Sequence, residues 1–401
     1  MKKEHVEHVI LVHPMDSFHP AQGGGIRYLM NMLNALRQQN WAITVIGTRA
    51  NSAPTSAQWK QIALSPESEN AILGWVRYLI LLFLRLFFIK LPTDGVIVTH
   101  RMDCMLAAVL FKPKNPKVLI SATPAHYLRG NFPWFYKWFG GIYRLAEQIC
   151  VNGVDLIVPV DPATADYYHQ HYPKADVTAC VPSALDEKFF ISMSRQEART
   201  QLDWVEEKPI ALFVGRLSKV KNLPLLIRAF AKVEKVLPNA QLHLVGNGED
   251  AAELKKLAAT CSQHIVFEGA VAPDKVVPYY TAANISVLCS IEEGSPTVVK
   301  EALACGTPIV STDVGDASLV LSGDLDLGQI VSSNEDDLAQ SLIYYLTRVE
   351  NNPHIRQKRR ASVLKYGARE VGAHLGRICH QAYESKKKSK NDILKRYKTH
   401  F

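Results

Sequence analysis

Two periods alternate along the chain. Short runs of β-branched and other apolar residues, the pattern of a buried strand, are followed by stretches whose apolar residues recur three and four apart, the pattern of an amphipathic helix. HVILVHP near the N-terminus predicts a strand, GGGIRYLMNMLNALRQQN a helix with an apolar stripe, and WAITVIGTR the next strand. The strand pattern returns at DGVIVTH (94–100), KVLISATP (117–124) and VDLIVPV (154–160), with helical stretches between. Strands alternating with helices predict a parallel sheet wrapped on both faces.

The scheme restarts beyond VPSALDEKFF (181–190). PIALFVGR (209–216), QLHLVG (241–246), HIVFEGA (264–270), ISVLCS (285–290) and TPIVST (307–312) predict five strands, separated by helices such as PLLIRAFAKVEKVL and DAAELKKLAATC. The expected fold class is therefore α/β, with two Rossmann-like doubly wound domains facing each other across a cleft and ligand held at the C-terminal ends of the strands. The boundaries are set at 1–185 and 186–370. A last segment, 371–401, is a basic helix or tail placed to pack back on the first domain.

At 401 residues the chain has the length for two such domains. Its net charge of +8 is mostly a C-terminal property: residues 354–401 carry 14 Lys and Arg against 3 Asp and Glu, whereas 191–353 carry 14 against 21. The run KKKSKNDILKRYK is a solvated helix end or binds an anionic surface. No nucleic-acid-binding motif accompanies it, and nucleic acid is not expected as a partner. The seven cysteines form no C-x-x-C pair and lie mostly in apolar context, which fits a reducing compartment and small core residues. MKKEHVEHVILVHP lacks the apolar run of a signal peptide.

ILGWVRYLILLFLRLFFIKL (72–91) has the length of a membrane span, but Arg77, Arg85 and Lys90 interrupt it. Its longest uncharged run, YLILLFL, is far short of the ~20 residues a span needs. Two readings stay open: a buried domain helix, or a helix at a membrane interface with its arginines reaching headgroups. NFPWFYKWFGGIYRL (131–145), with aromatics around Lys137 and Arg144, admits the same pair.

The polar residues that suggest chemistry sit where strands end. The glycine run holding Gly24 and Gly25 follows the first strand, and glycine lets backbone approach a ligand closely. In GRLSKVKN, Arg216 leaves a strand end and Lys221 follows just before a helix expected near Pro224; two fixed cations there suit a pyrophosphate leaving group. GNGED (246–250) supplies Gly246 and Asn247 at the next strand end. SIEEGSPTVVKEALACGTPIVST places Glu293 and Glu301 eight residues apart. Ser295 is expected to N-cap a helix from Pro296 to Ala304 that stops at Gly306. Thr297, Glu301 and Cys305 would share one face, with Glu301 placed to accept a pair of hydroxyls.

In that order, GRLSKVKNLPLLIRAF, LHLVGNGED and FEGAVAPDKVVPYYTAANISVLCSIEEGSPTVVKEALACGTPIVSTDVG resemble the second domain of the family 4 glycosyltransferases of the GT-B fold, and the Glu293–Glu301 spacing matches that family's E-x7-E motif. The resemblance is strong over about 209–316 and looser before. It implies a retaining, metal-independent hexosyltransferase that uses a nucleotide-diphosphate sugar as co-substrate, with no other cofactor. Arg216 and Lys221 would hold the diphosphate and assist its departure. Glu301 would hold the ribose, Glu293 with Gly294, Ser295, Pro296 and Thr297 the sugar, Gly24 and Gly25 the phosphates, and the loop around Val271 the base. Relatives carry a histidine on the donor sugar; His126 in TPAHYLRG is the candidate, and His100 at the end of the preceding strand competes with it.

The first domain would take the acceptor: a lipid-linked, lipopolysaccharide or other cell-surface glycan, as in polysaccharide biosynthesis. The protein would then be cytoplasmic, touching the anionic inner face of the cytoplasmic membrane weakly as a peripheral enzyme. DLD (324–326) is read as a loop and not as a metal site. Two alternatives stay open: a sugar-nucleotide epimerase of the same fold, and a non-catalytic nucleotide-sugar-binding subunit.

Overall fold

A computed structural model describes residues 8–14, 24–49, 60–66, 71–121, 133–191, 193–204, 208–348 and 353–398. The chain forms two compact units, one of Met1–Ala184 with Ala368–Phe401, the other of Leu185–Gly367.

In unit 1 the strands are β1 (His8–Val12), β2 (Ala42–Arg49), β3 (Lys60–Pro66), β4 (Val96–Thr99), β5 (Lys117–Ser121) and β6 (Leu156–Pro159). They form one parallel sheet in the order β3-β2-β1-β4-β5-β6. Every residue of β4, β5 and β6 is buried, as expected of a parallel sheet covered on both faces. Helices α1 (Gly24–Gln38), α2 (Ala71–Arg85), α3 (Met102–Phe111), α4 (Pro133–Gly153) and α5 (Pro162–His171) make the crossovers. The strand β3 was not expected. It lies at the edge of the sheet and ends in Pro66, so its sequence carries a weaker strand signal than its neighbours.

The stretch 72–91, which holds most of helix α2, has one buried face and one exposed face. Tyr78, Leu82 and Leu86 are fully buried in a core with β1, β4 and α3, whereas Leu73, Val76, Ile80, Leu84, Phe87 and Phe88 are exposed. On α4, Trp138, Ile142, Leu145 and Ile149 make a second exposed stripe, opposite the buried Glu147 and Cys150. Both helices pack on α3. Among the described residues no helix is long and apolar enough to cross a membrane.

Unit 2 repeats the plan. Its strands are β7 (Ile210–Val214), β8 (Gln241–Val245), β9 (Ile265–Gly269), β10 (Ile285–Leu288), β11 (Ile309–Thr312) and β12 (Gly328–Val331), parallel in the order β12-β11-β10-β7-β8-β9. Five strands were expected there; the sixth, β12, is a four-residue edge strand, GQIV, too short to stand out by pattern. The helices are α6 (Arg195–Gln201), α7 (Leu223–Val236), α8 (Ala251–Cys261), α9 (Val277–Ala282), α10 (Thr297–Ala304), α11 (Ala317–Leu321), α12 (Glu335–Thr347) and α13 (Pro353–Ser362). The Leu185 N–H donates to the Tyr366 carbonyl at 2.7 Å, so the chain enters and leaves unit 2 side by side. The last helix, α14 (Ala368–Lys398), packs along α1 in unit 1. Its buried residues Val371, Leu375, Ile378, Cys379 and Ala382 join the core of Leu29, Leu33 and Leu36. None of the seven cysteines is in a disulfide.

Candidate functional site

Unit 2's sheet reverses its winding once, between β7 and β10. The crevice beyond the C-terminal ends of strands at such a switch point is where open α/β sheets bind ligands. The loops leaving those two strands and their neighbours are bonded to one another there. The Leu217 N–H donates to the Asn247 carbonyl at 3.0 Å, the Asp250 N–H to the Leu217 carbonyl at 3.1 Å, and the Ile291 N–H to the Val220 carbonyl at 2.8 Å. Gly246 has φ +140°, and a Cβ there would lie 1.8 Å from the Gly215 carbonyl oxygen, so only glycine allows the loops after β7 and β8 to close on each other. The Gly246 N–H also reaches Gly269, which places the loop carrying Val271 next in line after β9.

Arg216, Lys221, Gly246, Asn247, Glu293, Gly294, Ser295, Pro296, Thr297 and Glu301 thus lie on loops or a helix leaving this one edge of the sheet. Lys221 and Glu293 form an ion pair across the switch point, Nζ donating to Oε1, and Ser290 Oγ donates to the same oxygen at 2.7 Å. Arg216 is paired with Glu249 at 3.1 Å, with its side chain 69% exposed. An exposed pair of that kind is worth ~0–1 kcal/mol, so an arriving anion can redirect Arg216 at little cost.

Helix α10 corrects one expectation. It begins at Thr297, with Pro296 at the N-cap and no side-chain cap bond, so Ser295 is not the N-cap residue. The Ser295 hydroxyl instead donates to Asp316 Oδ2 at 3.0 Å and accepts from Lys300 Nζ at 2.7 Å. The first-turn N–H groups of α10 have no intrahelical partner. The helix stops as expected at Gly306: the Gly306 N–H donates to the Leu303 carbonyl and the Thr307 N–H to the Ala302 carbonyl, both at 2.9 Å, a Schellman closure. Glu301 was expected to present its carboxylate to hydroxyls. It is only 2% exposed, and its Oε2 accepts from the Tyr280 hydroxyl at 2.8 Å.

Ser290, Tyr280, Lys300 and Asp316 were not singled out from the sequence. Lys300 is fully buried with Nζ 2.7 Å from Asp316 Oδ2. Burial pushes its pKa down, against the carboxylates of Asp316 and Glu301. The one signal was a lysine set among the apolar residues of VVKEAL. DLD is a loop, as expected: Asp324 and Asp326 pair with Lys358, and Asp326 also with Arg348.

In unit 1 the switch point lies between β1 and β4. Gly24 and Gly25 open α1, and His13 and His100 follow the two strands. Their rings stack with centroids 4.6 Å apart, beside an Arg101–Asp103 ion pair. Burial lowers both imidazole pKa values, that of His100 to about 4. His126 lies outside the described residues.

Residues 194–363 match the family described as glycosyl transferases group 1. The match lies within the second unit. It is 30% identical over 197 residues to the D-inositol 3-phosphate glycosyltransferase of Corynebacterium jeikeium, covering 45% of this chain and 46% of that one. To the lipopolysaccharide 1,2-N-acetylglucosaminetransferase of Salmonella typhimurium it is 28% identical over 183 residues, 43% of this chain and 48% of that one. The chain thus spans about half the length of these curated relatives. Among solved structures, the sucrose-phosphate synthase of Thermosynechococcus elongatus superposes with a TM-score of 0.77 at 18% identity, covering 94% of this chain and 100% of that one. The chain has the GT-B fold.

Proposed function

We propose that this protein is a retaining glycosyltransferase that moves a sugar from a nucleotide-diphosphate sugar to a lipid-linked, lipopolysaccharide or other cell-surface glycan. The observation that carries this reading is the Lys221–Glu293 pair at the switch point of unit 2, with Arg216 on the same loop as Lys221. As the bond from the anomeric carbon to the diphosphate oxygen breaks, negative charge grows on the departing diphosphate. Arg216 and Lys221 are the cations that offset it, and no metal is needed for that task. Lys221 exchanges Glu293 for phosphate, which frees the Glu293 carboxylate for hydroxyls of the sugar. Glu301, held by Tyr280, takes the ribose once the site is filled.

The acceptor class is supported by the relative named for lipopolysaccharide. The exposed apolar stripes of α2 and α4, with Arg85, Lys137 and Arg144 exposed beside them, suit an anionic membrane surface, as does the basic C-terminal run. The protein would work there as a peripheral enzyme on the cytoplasmic side.

The test is release of nucleoside diphosphate from a nucleotide sugar in EDTA, with and without a membrane-lipid extract as acceptor. Release that depends on the extract is expected. Conversion of the nucleotide sugar without acceptor would make the protein an epimerase, and binding without turnover a sensing subunit.

A further inference from the structure

Lys300 and Asp316 are two buried charges that the proposed chemistry does not use. Lys300 lies on α10 immediately before Glu301, and Asp316 ends the turn after β11. Their only shared polar partner among the contacts described is Ser295: its hydroxyl meets Lys300 Nζ at 2.7 Å and Asp316 Oδ2 at 3.0 Å, while the ions themselves are 2.7 Å apart. The same turn touches the adjacent residue through its backbone. Gly315 has φ +57°, and a Cβ there would lie 2.1 Å from the Gly294 carbonyl oxygen, so the 313–316 turn is pressed against the Gly294 peptide with no room for a side chain.

The pair is poorly arranged for stability alone. Both the lysine and the serine bond Oδ2, and the buried Oδ1 of Asp316 has no hydrogen-bond partner. A buried ion pair commonly adds little or nothing over well-packed apolar residues, because desolvation cancels the attraction. What this one does achieve is placement, since three groups from α10 and the following turn converge on two consecutive residues of the loop after β10.

We infer that Lys300 and Asp316 are positioning residues that, with Gly315, clamp Gly294 and Ser295 and thereby set the backbone N–H groups between Glu293 and Thr297 for the donor. The donor assignment of that loop rests on the function proposed above; the clamp itself does not. Removing the clamp leaves Arg216, Lys221, Glu293 and Glu301 in place but lets the loop sample other geometries. The penalty therefore falls on donor binding more than on turnover.

Three variants of the full chain test this: Lys300→Met, the double variant Lys300→Met/Asp316→Leu, and Ser295→Ala. Lys300→Met strands a buried carboxylate and is expected to lower the melting temperature. The double variant removes both charges and is expected to recover most of that loss, yet to keep faster hydrogen exchange across 290–297 than the wild type. It should also show a donor KM raised about tenfold or more with kcat changed much less. Ser295→Ala cuts the loop from a pair that keeps both charges and is expected to speed the same exchange while lowering the melting temperature less than Lys300→Met does, which keeps the test alive if the buried variants fail to fold. Wild-type exchange in Ser295→Ala, or wild-type exchange and donor KM in the double variant, would overturn the inference. Failure of the donor reading shows differently: exchange changes as expected while Glu301→Ala still uses the donor normally.

Discussion

Lys221 has two tasks that one substitution separates. It pairs with Glu293, and in the proposed reaction it would meet the diphosphate. Lys221→Ala should lower kcat/KM about a hundredfold, while Lys221→Arg retains part of the activity, as read from nucleoside diphosphate release under saturating acceptor. Equal activity in Lys221→Ala would remove it from the site. A second residue-scale effect comes from His100. Its folded pKa of about 4 lies below the ordinary 6.5, so between those values the unfolded chain binds a proton that the folded chain refuses. Stability contributed by the neutral ring is complete above pH 6.5 and lost as pH falls toward 4, at most on the order of 3 kcal/mol. His13 acts in the same direction, and Asp103 stays charged beside Arg101. His100→Asn should flatten the fall in melting temperature between pH 6.5 and 4.5; an unchanged slope would count against a buried neutral imidazole. Of the four charged residues legible in the sequence, Arg216, Lys221 and Glu293 stood out by their places where strands end, and Glu301 by its spacing of eight residues from Glu293. Lys300 and Asp316 did not, since a buried charge is explained only by a partner sixteen residues away that no local pattern reveals.

At the level of elements, the alternation of strand and helix was readable because a doubly covered sheet makes its strands uniformly apolar. The exceptions were edge strands. β3 and β12 each have one neighbour, and their sequences, KQIALSP and GQIV, are correspondingly less apolar or shorter. The α10 start shifted by one residue because a buried lysine and aspartate outcompeted the helix N-terminus for the Ser295 hydroxyl. Helix α2 shows a different limit. Its near-continuous apolar run and the residues just after it read equally as core or interface, and the fold buries Tyr78, Leu82 and Leu86 and exposes Ile80, Leu84 and Phe88. If the outward stripe meets a bilayer, the protein should sediment with phosphatidylglycerol-containing vesicles at low salt, and Ile80→Asp/Phe88→Asp should stay in the supernatant with an unchanged melting temperature. Full recovery of the wild type in the supernatant would exclude that role.

On the scale of the whole molecule, the second unit matches the group 1 glycosyl transferase pattern while the first is recognisable chiefly by fold; under the proposed function a shared nucleotide-diphosphate donor would impose one set of loops while acceptors vary. The central claim is that unit 2 holds a nucleotide-diphosphate sugar through Arg216, Lys221, Glu293 and Glu301. A thermal-shift series with UDP, GDP and ADP in EDTA tests it most directly, since a ligand that binds only the folded state adds ~2.7 kcal/mol at a hundredfold excess over its dissociation constant. One diphosphate should raise the melting temperature in the wild type and fail to do so in Glu301→Ala. A shift of equal size in that variant, or no shift with any of the three, would contradict the donor site described here.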